Sequence, residues 1–495
     1  MLTKIDDLLN SITMYRLVLY YLIGLLFIAF IYSIFHVLPF GPNELIVSTF
    51  ILVAVSYVAN KFFAYLFKVQ TNYESFLITA LILVLIITPG LAVSKIEFLI
   101  FASILSMLAK YILNIKGKHI FNPAAIALVI TAFTINGFAS WWIATRWMFP
   151  FLLLGFLIVR KIRRESLVFY FFVGALISTF MVYFSRGDFE ILKIVENTFL
   201  DSPILFFAFV MLTEPLTTPP TANLQALYGV FVGLLFAPLY FGRFYTTPEI
   251  ALSIGNVFSY LVSPKEKLTL KLKEKIKLTS DIYDFVFVSN KKINFTAGQY
   301  LEWTFGHKNT DSRGNRRYFT ISSSPTENDL RIGIKFPKRV LSSYKKQLLE
   351  MKNGDKIIAG NLAGDFTLKE NAERKLVFVA GGIGVTPYRS IIKYLIDKKE
   401  KCDVVLVYFE KNKREMVYKD VFKEAKKKIG LKIIYFETEK QGHMIGTDIK
   451  KEIPDYKDRI FYLSGPHGMV TGFQKELNNI GLSKQNVKVD YFPGF

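Results

Sequence analysis

The stretch Lys375-Leu-Val-Phe-Val-Ala-Gly-Gly-Ile-Gly-Val-Thr-Pro387 decides how the second half of this chain reads. Leu376 to Ala380 run apolar without alternation. Such a run suits a strand buried on both faces of a parallel sheet. Gly381, Gly382 and Gly384 follow, and Thr386 and Pro387 then open a helical pattern. Glycines let a pyrophosphate reach the backbone, and free N–H groups at a helix start favour its charge. The spacing is not Gly-x-Gly-x-x-Gly, so the loop alone reads equally as a tight turn.

Working outward, apolar runs at 375–380, 403–409, 431–437 and 459–464 alternate with helical patterns near 386–398, 416–428 and 469–480. That alternation predicts an α/β doubly wound sheet over 373–495. Upstream, strand patterns at 281–289, 299–305, 317–322 and 330–336 precede a short helix at 342–351 and a turn at Asn353-Gly-Asp355. They predict an antiparallel β-barrel domain over 265–372. Lys265–Lys277 reads as a basic linker feeding the first strand. It and Lys423–Lys428 read as solvated faces, the first close enough to a bilayer to meet anionic head groups.

Residues 1–260 differ in kind. They hold 16 Lys/Arg and 12 Asp/Glu, against 45 and 28 in residues 261–495. Apolar segments recur at about 15–36, 45–67, 76–94, 96–113, 123–138, 141–159, 166–184, 203–213, 225–242 and 247–262. Most approach the ~20 residues that cross ~30 Å of hydrocarbon. They predict a polytopic α-helical membrane domain, 1–262, of about ten helices in the lipid bilayer. Basic residues fall on alternate loops: Lys61/Lys68, Lys110/Lys116/Lys118, and Arg160/Lys161/Arg163/Arg164. The positive-inside rule then puts both termini and the charged half in the cytoplasm of a multi-pass cell-membrane protein. A composition of 52% hydrophobic and 16% aromatic residues excludes a disordered or collagen-like chain. The single Cys402 excludes a disulfide scaffold, a Cys-ligated zinc site and a plant-type iron–sulfur cluster. No metal site is expected, and no basic–aromatic platform for nucleic acid is present.

Two membrane-half loops stand out, Lys118-His-Ile-Phe-Asn-Pro-Ala-Ala125 and Thr213-Glu-Pro-Leu-Thr-Thr-Pro-Pro-Thr221. Each joins a helix end to prolines and small polar side chains. They read either as proline turns or as a site where helix-terminal N–H groups hold an anion or a cofactor edge. Arg146, inside the sixth apolar segment, reads either as a functional intramembrane charge or as a snorkelling one. Bis-histidine haem needs facing pairs, and this half offers only His36 and His119. No haem is expected.

The Phe-Asn-Pro-Ala signature and the Thr-Glu-Pro-x-Thr-x-Pro turn resemble the membrane subunits of the sodium-pumping NADH:quinone reductase (B subunit) and the Rnf complex (D subunit). That resemblance implies a urea-transporter-like bundle with a flavin near Asn122, Pro123, Thr213, Glu214, Thr217 and Thr218. The family's Ser/Thr-Gly-Ala-Ser/Thr attachment tetrapeptide is absent. The expected group is therefore a non-covalent FMN or riboflavin.

In the charged half, Arg317-Tyr-Phe-Thr-Ile-Ser-Ser-Ser-Pro325, Val340-Leu-Ser-Ser-Tyr344, the glycine loop and Ser464-Gly-Pro-His-Gly-Met469 occur in that order. Residues 265–495 closely resemble the ferredoxin–NADP reductase superfamily. The resemblance implies an FAD barrel and an NAD(P) domain. It places Arg317 and Ser342 on the FAD pyrophosphate, Phe319 on the isoalloxazine, and Thr320, with Ser322 in the same motif, near the flavin N5. It places Gly381, Gly382, Gly384, Thr386 and Pro387 on the dinucleotide, with Gly465, Pro466 and Met469 in the last motif. Ser464 stands where many members carry Cys, and Phe495 where a terminal aromatic meets the flavin; Thr320, Ser464 and Phe495 are the expected catalytic residues. Glu410-Lys-Asn-Lys-Arg414 offers both an acid for a ribose hydroxyl and Lys411, Lys413 and Arg414 for a 2′-phosphate. NADH and NADPH thus stay open.

The expected function is a membrane-bound NAD(P)H oxidoreductase. It passes hydride to FAD, then electrons to a membrane flavin and on to a quinone, a trans-membrane acceptor or a partner protein, with ion transport implied by resemblance only. The alternative is a flavin or ion transporter with a regulatory reductase module.

Overall fold

In the computed structural model the chain divides into two compact units, Met1–Lys265 and Glu266–Phe495. The structure describes residues 5, 8–9, 12–68, 73–115, 118–241, 244–265, 267–289, 291, 293–306, 311, 314–336, 341–368, 375–400 and 402–490. Val340 and the terminal Phe492–Phe495 lie outside the described residues.

The first unit is helical. Its main helices are α1 (Met14–Ile34), α2 (Pro42–Leu66), α3 (Tyr73–Ile86), α4 (Val93–Ile112), α5 (Pro123–Ile135), α6 (Glu165–Ser185), α7 (Ile191–Leu200), α8 (Ala222–Leu234) and α9 (Pro248–Val262). Start signals are local. Thr13 caps α1 by accepting from the Arg16 N–H, and Asn122 caps α5 by accepting from Ala124 and Ala125, with Pro123 at the first helical position.

The expectation of about ten crossings is not upheld. Among the described residues three helices, α1, α2 and α6, are long and apolar enough to cross a membrane. A fourth candidate is the pair Ile191–Leu200 and Ile204–Met211, bent by 60°. For most the reason is length: a helix of 13 residues, such as α5 or α8, spans only about 20 Å at 1.5 Å per residue, whereas the 20-residue α4 carries Lys95, Glu97 and Lys110. The sixth apolar segment is not one helix either. Residues 136–148 are irregular, and short helices begin only at Phe149. Arg146 therefore sits on an exposed turn, with Nε donating to both Asp201 carboxylate oxygens at 2.9 Å and Nη1 to Glu196 at 3.0 Å. It clamps two surface elements.

Helices α6 and α8 cross at backbone contact. A Cβ on Gly229 would lie 2.6 Å from the Leu167 carbonyl oxygen, and one on Gly233 2.4 Å from that of Phe171. Small residues at such a crossing let two backbones meet, the habit of helices packed in lipid.

The second unit carries two sheets. The antiparallel one comprises β1 (Leu268–Lys277), β2 (Ile282–Ser289), β3 (Tyr300–Thr304), β4 (Arg316–Thr320), β5 (Leu330–Lys335) and β6 (Lys356–Ala363), with helix α10 (Ser343–Glu350) before β6. Its order is β4-β3-β6-β1-β2-β5. Closure into the expected barrel is not confirmed, because no ladder joins the edges β4 and β5 among the described residues. Lys265–Lys277 is mostly strand rather than linker. Leu268, Leu270 and Leu272 face inward while Thr269, Lys271 and Lys273 face out, the period-2 pattern of a half-buried strand.

The parallel sheet comprises β7 (Lys375–Gly381), β8 (Val404–Glu410), β9 (Lys432–Glu437), β10 (Arg459–Ser464) and β11 (Val487–Asp490), in the order β9-β8-β7-β10-β11. Helices α11 (Thr386–Lys398), α12 (Lys419–Lys428) and α13 (His467–Asn479) cover it. Leu376, Phe378 and Ala380 pack into one core with α11 and α12, and Val377 and Val379 into another with α13. Both faces are buried, which explains the unbroken apolar run in β7.

Candidate coenzyme-binding site

The glycine loop leaves the carboxyl end of β7. Ala380 pairs with Ser464 across the β7–β10 ladder, so the loops after both strands leave the sheet side by side. They touch through backbone. A Cβ on Gly384 would fall 2.5 Å from the Ser464 carbonyl oxygen and 2.6 Å from the Gly465 backbone nitrogen. One on Gly381 would strike the Met469 sulfur at 2.3 Å and the Pro466 ring at 3.0 Å. Gly382 has φ +55°, in the left-handed region. The loop ends in a 3₁₀ turn that runs into α11, where the Thr386 hydroxyl donates to the Ile383 carbonyl at 3.1 Å and Pro387 follows in the first turn. This crevice lies outside the carboxyl ends of the strands, where open parallel sheets bind ligands.

The motif on β4 assembles beside α10. Arg317, on β4, is buried, with Nη1 donating to the Arg316 carbonyl at 2.6 Å and its guanidinium 5.2 Å from the centre of the Tyr344 ring. Tyr344 lies two residues after Ser342, whose hydroxyl caps α10 by accepting from the Lys345 N–H at 3.2 Å. The Phe319 ring is 6.1 Å from that of Tyr344. The Thr320 hydroxyl is buried and meets no hydrogen-bond partner among the described residues. A buried hydroxyl in that state awaits a donor or acceptor that the chain does not supply.

These two motifs are joined directly. The Arg389 guanidinium, three residues beyond Thr386, donates to the Ser322 carbonyl at 2.9 Å, and the Ser390 hydroxyl donates to the Ser323 carbonyl at 2.6 Å. Around them lies an ion network that sequence reasoning missed. Asp284 accepts from Arg331 at 3.1 Å and from the Tyr418 hydroxyl at 3.0 Å, and Arg389 pairs with Glu327. Burial pushes the Asp284 carboxyl up, against the opposing pull of Arg331 and Arg389. Its members sit far apart in sequence and carry no motif. Removing one partner of a buried pair costs on the order of 3–5 kcal/mol. Arg389→Ala is therefore expected to lower the denaturant midpoint of the second unit sharply, read by tryptophan or flavin fluorescence during guanidinium unfolding. An unchanged midpoint would show that the network adds nothing to stability.

In the first unit the two singled-out loops do meet. The Asn122 side-chain amide donates to Glu214 at 2.9 Å, and the Thr217 hydroxyl contacts the same carboxylate at 3.4 Å. The Asn122 N–H donates to the Asn256 side chain at 2.8 Å, while Thr213 and Thr218 bond to the carbonyls of Phe209 and Pro215. These polar groups largely satisfy one another. Phe495 lies outside the described residues.

Residues 378–475 match the family model "Oxidoreductase NAD-binding domain". The chain is 25% identical over 233 residues to flavohemoprotein A of Dictyostelium discoideum, covering 44% of this chain and 58% of the relative. It is 26% identical over 239 residues to the flavohemoprotein of Oceanobacillus iheyensis, covering 45% and 58%. Among solved structures, the flavohem-like FAD/NAD-binding domain of nitric oxide dioxygenase from Vibrio cholerae is 22% identical, with TM-score 0.40, covering 46% of this chain and 98% of that one. The second unit is an NAD(P)H-dependent FAD oxidoreductase module. The chain spans a little over half the length of these curated relatives. One expectation is corrected: the reading that allowed flavins alone, with a second flavin in the first unit and no haem, is overturned by relatives that are flavohemoproteins, although those matches cover only the reductase half.

For this module, the orphaned Thr320 hydroxyl and the Gly382 backbone, at φ +55° just before the start of α11, fit the two groups such a reductase holds. Arg317, Ser342 and Thr320 would hold FAD, and Gly382, Gly384 and Thr386 the coenzyme pyrophosphate.

Proposed function

We propose that this chain is a membrane-attached reductase that takes hydride from NAD(P)H and passes electrons to a haem protein. The observation that carries the reductase step is the direct bonding of α11, which opens at the glycine loop, to the Ser322–Ser323 segment that ends the flavin motif. When bound, FAD accepts two electrons as hydride and can release them singly. The residues do the rest. Gly382 and Gly384 admit the pyrophosphate to the backbone, Thr386 and the α11 N-terminus hold its charge, and Arg317 presents a planar fork to the FAD phosphates. Thr320 supplies a hydroxyl next to the reacting ring, and the Ser464 loop, packed on Gly384, bounds the nicotinamide side.

The haem acceptor follows the relatives' type, and a quinone in the bilayer is the competing acceptor. Full-length protein in detergent is the material for the test. Under anaerobic conditions NADH or NADPH should bleach the flavin, and added cytochrome c should restore its colour faster than added ubiquinone. Bleaching by neither coenzyme would overturn the reductase reading. Reoxidation by ubiquinone alone would overturn the haem acceptor.

Membrane attachment rests on α1, α2 and α6 and on their outward apolar side chains, such as Phe50, Phe62 and Phe169, each more than half exposed. So wide an apolar surface on a soluble protein would aggregate. The basic loop at 160–164 argues for a cytoplasmic reductase unit. The chain is expected to stay with membranes through alkaline carbonate washing and to leave only with detergent. Release by carbonate would sink this part of the proposal.

A further inference from the structure

We propose that Tyr418 is a positioning residue for hydride transfer, a strut that sets the glycine loop against the flavin motif. The inference rests on the coenzyme reading of that loop. Tyr418 stands immediately before α12, and its hydroxyl donates to Asp284 Oδ1, on β2 of the antiparallel sheet, at 3.0 Å. Asp284 is 1% exposed. The Ser322 hydroxyl approaches the same oxygen at 3.5 Å, and Arg331 donates to the other oxygen at 3.1 Å. Ser322 belongs to the flavin motif, so one buried carboxylate ties Tyr418 to it. Gly333 of β5 lies opposite Asp284 in the β2–β5 ladder. A Cβ on Gly333 would fall 2.4 Å from the Tyr418 hydroxyl oxygen, 2.9 Å from Thr386 Cγ2 and 3.3 Å from Ile383 Cδ1. The bare backbone there lets the strut and the end of the glycine loop rest on one spot of the sheet.

The backbone of Tyr418 marks the same point. It sits at φ +59°, ψ 24°, in the left-handed region, where a bulky residue stays only when its surroundings hold it. The Arg389 guanidinium lies 5.8 Å from the centre of its ring. The two sheets stay joined without the hydroxyl. Arg389 and Ser390 still bond to the carbonyls of Ser322 and Ser323, and Lys335 still faces Glu410 and Glu415 at 3.6 and 3.8 Å. The hydroxyl therefore contributes alignment rather than attachment. Hydride transfer depends on alignment, since a misplacement of about 1 Å can cost on the order of a hundredfold in rate.

The test uses the full chain in detergent. Tyr418→Phe keeps the ring and removes the hydroxyl. Its limiting rate of anaerobic flavin bleaching, at saturating NADH or NADPH, should fall roughly tenfold, while the half-saturating concentration moves by less than about twofold. Hydrogen–deuterium exchange without coenzyme gives a readout independent of turnover. Peptides covering 381–390 should exchange faster in Tyr418→Phe, and those of β1 and β6 should not. Gly333→Ala presses on the hydroxyl from the other side and should also slow bleaching. Added to Tyr418→Phe it should cost less than it does alone, because the atom it meets at 2.4 Å is gone. FAD content checks that each variant folds. An unchanged limiting rate, unchanged exchange at 381–390, or strictly additive costs in the double variant overturns the inference and leaves the reductase reading intact. So does a loss confined to coenzyme affinity or to FAD content. Bleaching of the unaltered protein by neither coenzyme overturns both.

Discussion

Gly384→Trp is expected to abolish NAD(P)H oxidation, lowering kcat/KM at least a thousandfold, which is about 4 kcal/mol of lost transition-state binding. The position has no room. Even a Cβ there would fall 2.5–2.6 Å from backbone atoms of Ser464 and Gly465. Backbone cannot swing aside as a flexible side-chain end can. An indole would push the two loops apart and fill the space above the α11 N-terminus. Gly384→Ala should therefore also lose rate, by less. The FAD site on β4 and α10 draws on other elements, so the yellow colour should persist in both variants. The measurement is anaerobic bleaching with excess NADH and then NADPH. Bleaching at the original rate in Gly384→Trp would show that the loop is a tight turn and that coenzyme binds elsewhere.

Arg317→Ala should purify with little or no FAD. The guanidinium is buried on β4 and lies over the Tyr344 ring, two residues beyond the Ser342 cap. That places a planar fork of donors beside a helix start, two groups suited to one pyrophosphate. Losing one side of a buried charge pair costs on the order of 3–5 kcal/mol. FAD affinity should fall by a hundredfold or more. Arg317→Lys keeps the charge and loses the fork, so it should fall between. The readout is the flavin-to-protein ratio after gel filtration, with helical content of the full chain as the folding control. A full complement of FAD in Arg317→Ala would show that Arg317 serves the strand alone.

Much of the second unit was legible because its signals are local. An apolar run such as Leu376–Ala380 can only be buried on both sides, and a glycine run before Thr386-Pro387 can only punctuate a strand and a helix. β1 was misread because lysines at alternate positions raise the charge of a segment without changing its buried face. β6 and β11 gave only short apolar stretches to read, Ile357–Ala359 in the first and single valines between polar residues in the second. In the first unit, hydropathy counts apolar residues but not helix length. Irregular backbone at 136–148 interrupts the sixth apolar segment, which composition alone read as one helix.

By itself, then, the sequence determined the apolar and charged halves, the alternation of strands and helices, and the order of the Arg317, Ser342, Gly381–Thr386 and Ser464–Met469 motifs. These follow from near-neighbour chemistry: hydrophobic period, turn residues and helix starts. The tertiary structure alone decided that Gly384 rests on the Ser464 loop and that Arg389 bridges to Ser322. It alone set Arg146 against Asp201 at the surface, and one oxygen of Glu410 beside Gly382 and the Lys335 ammonium. Those contacts join residues tens of positions apart in the sequence. Their geometry depends on strand order and on which groups burial leaves unsatisfied, and no local pattern encodes either.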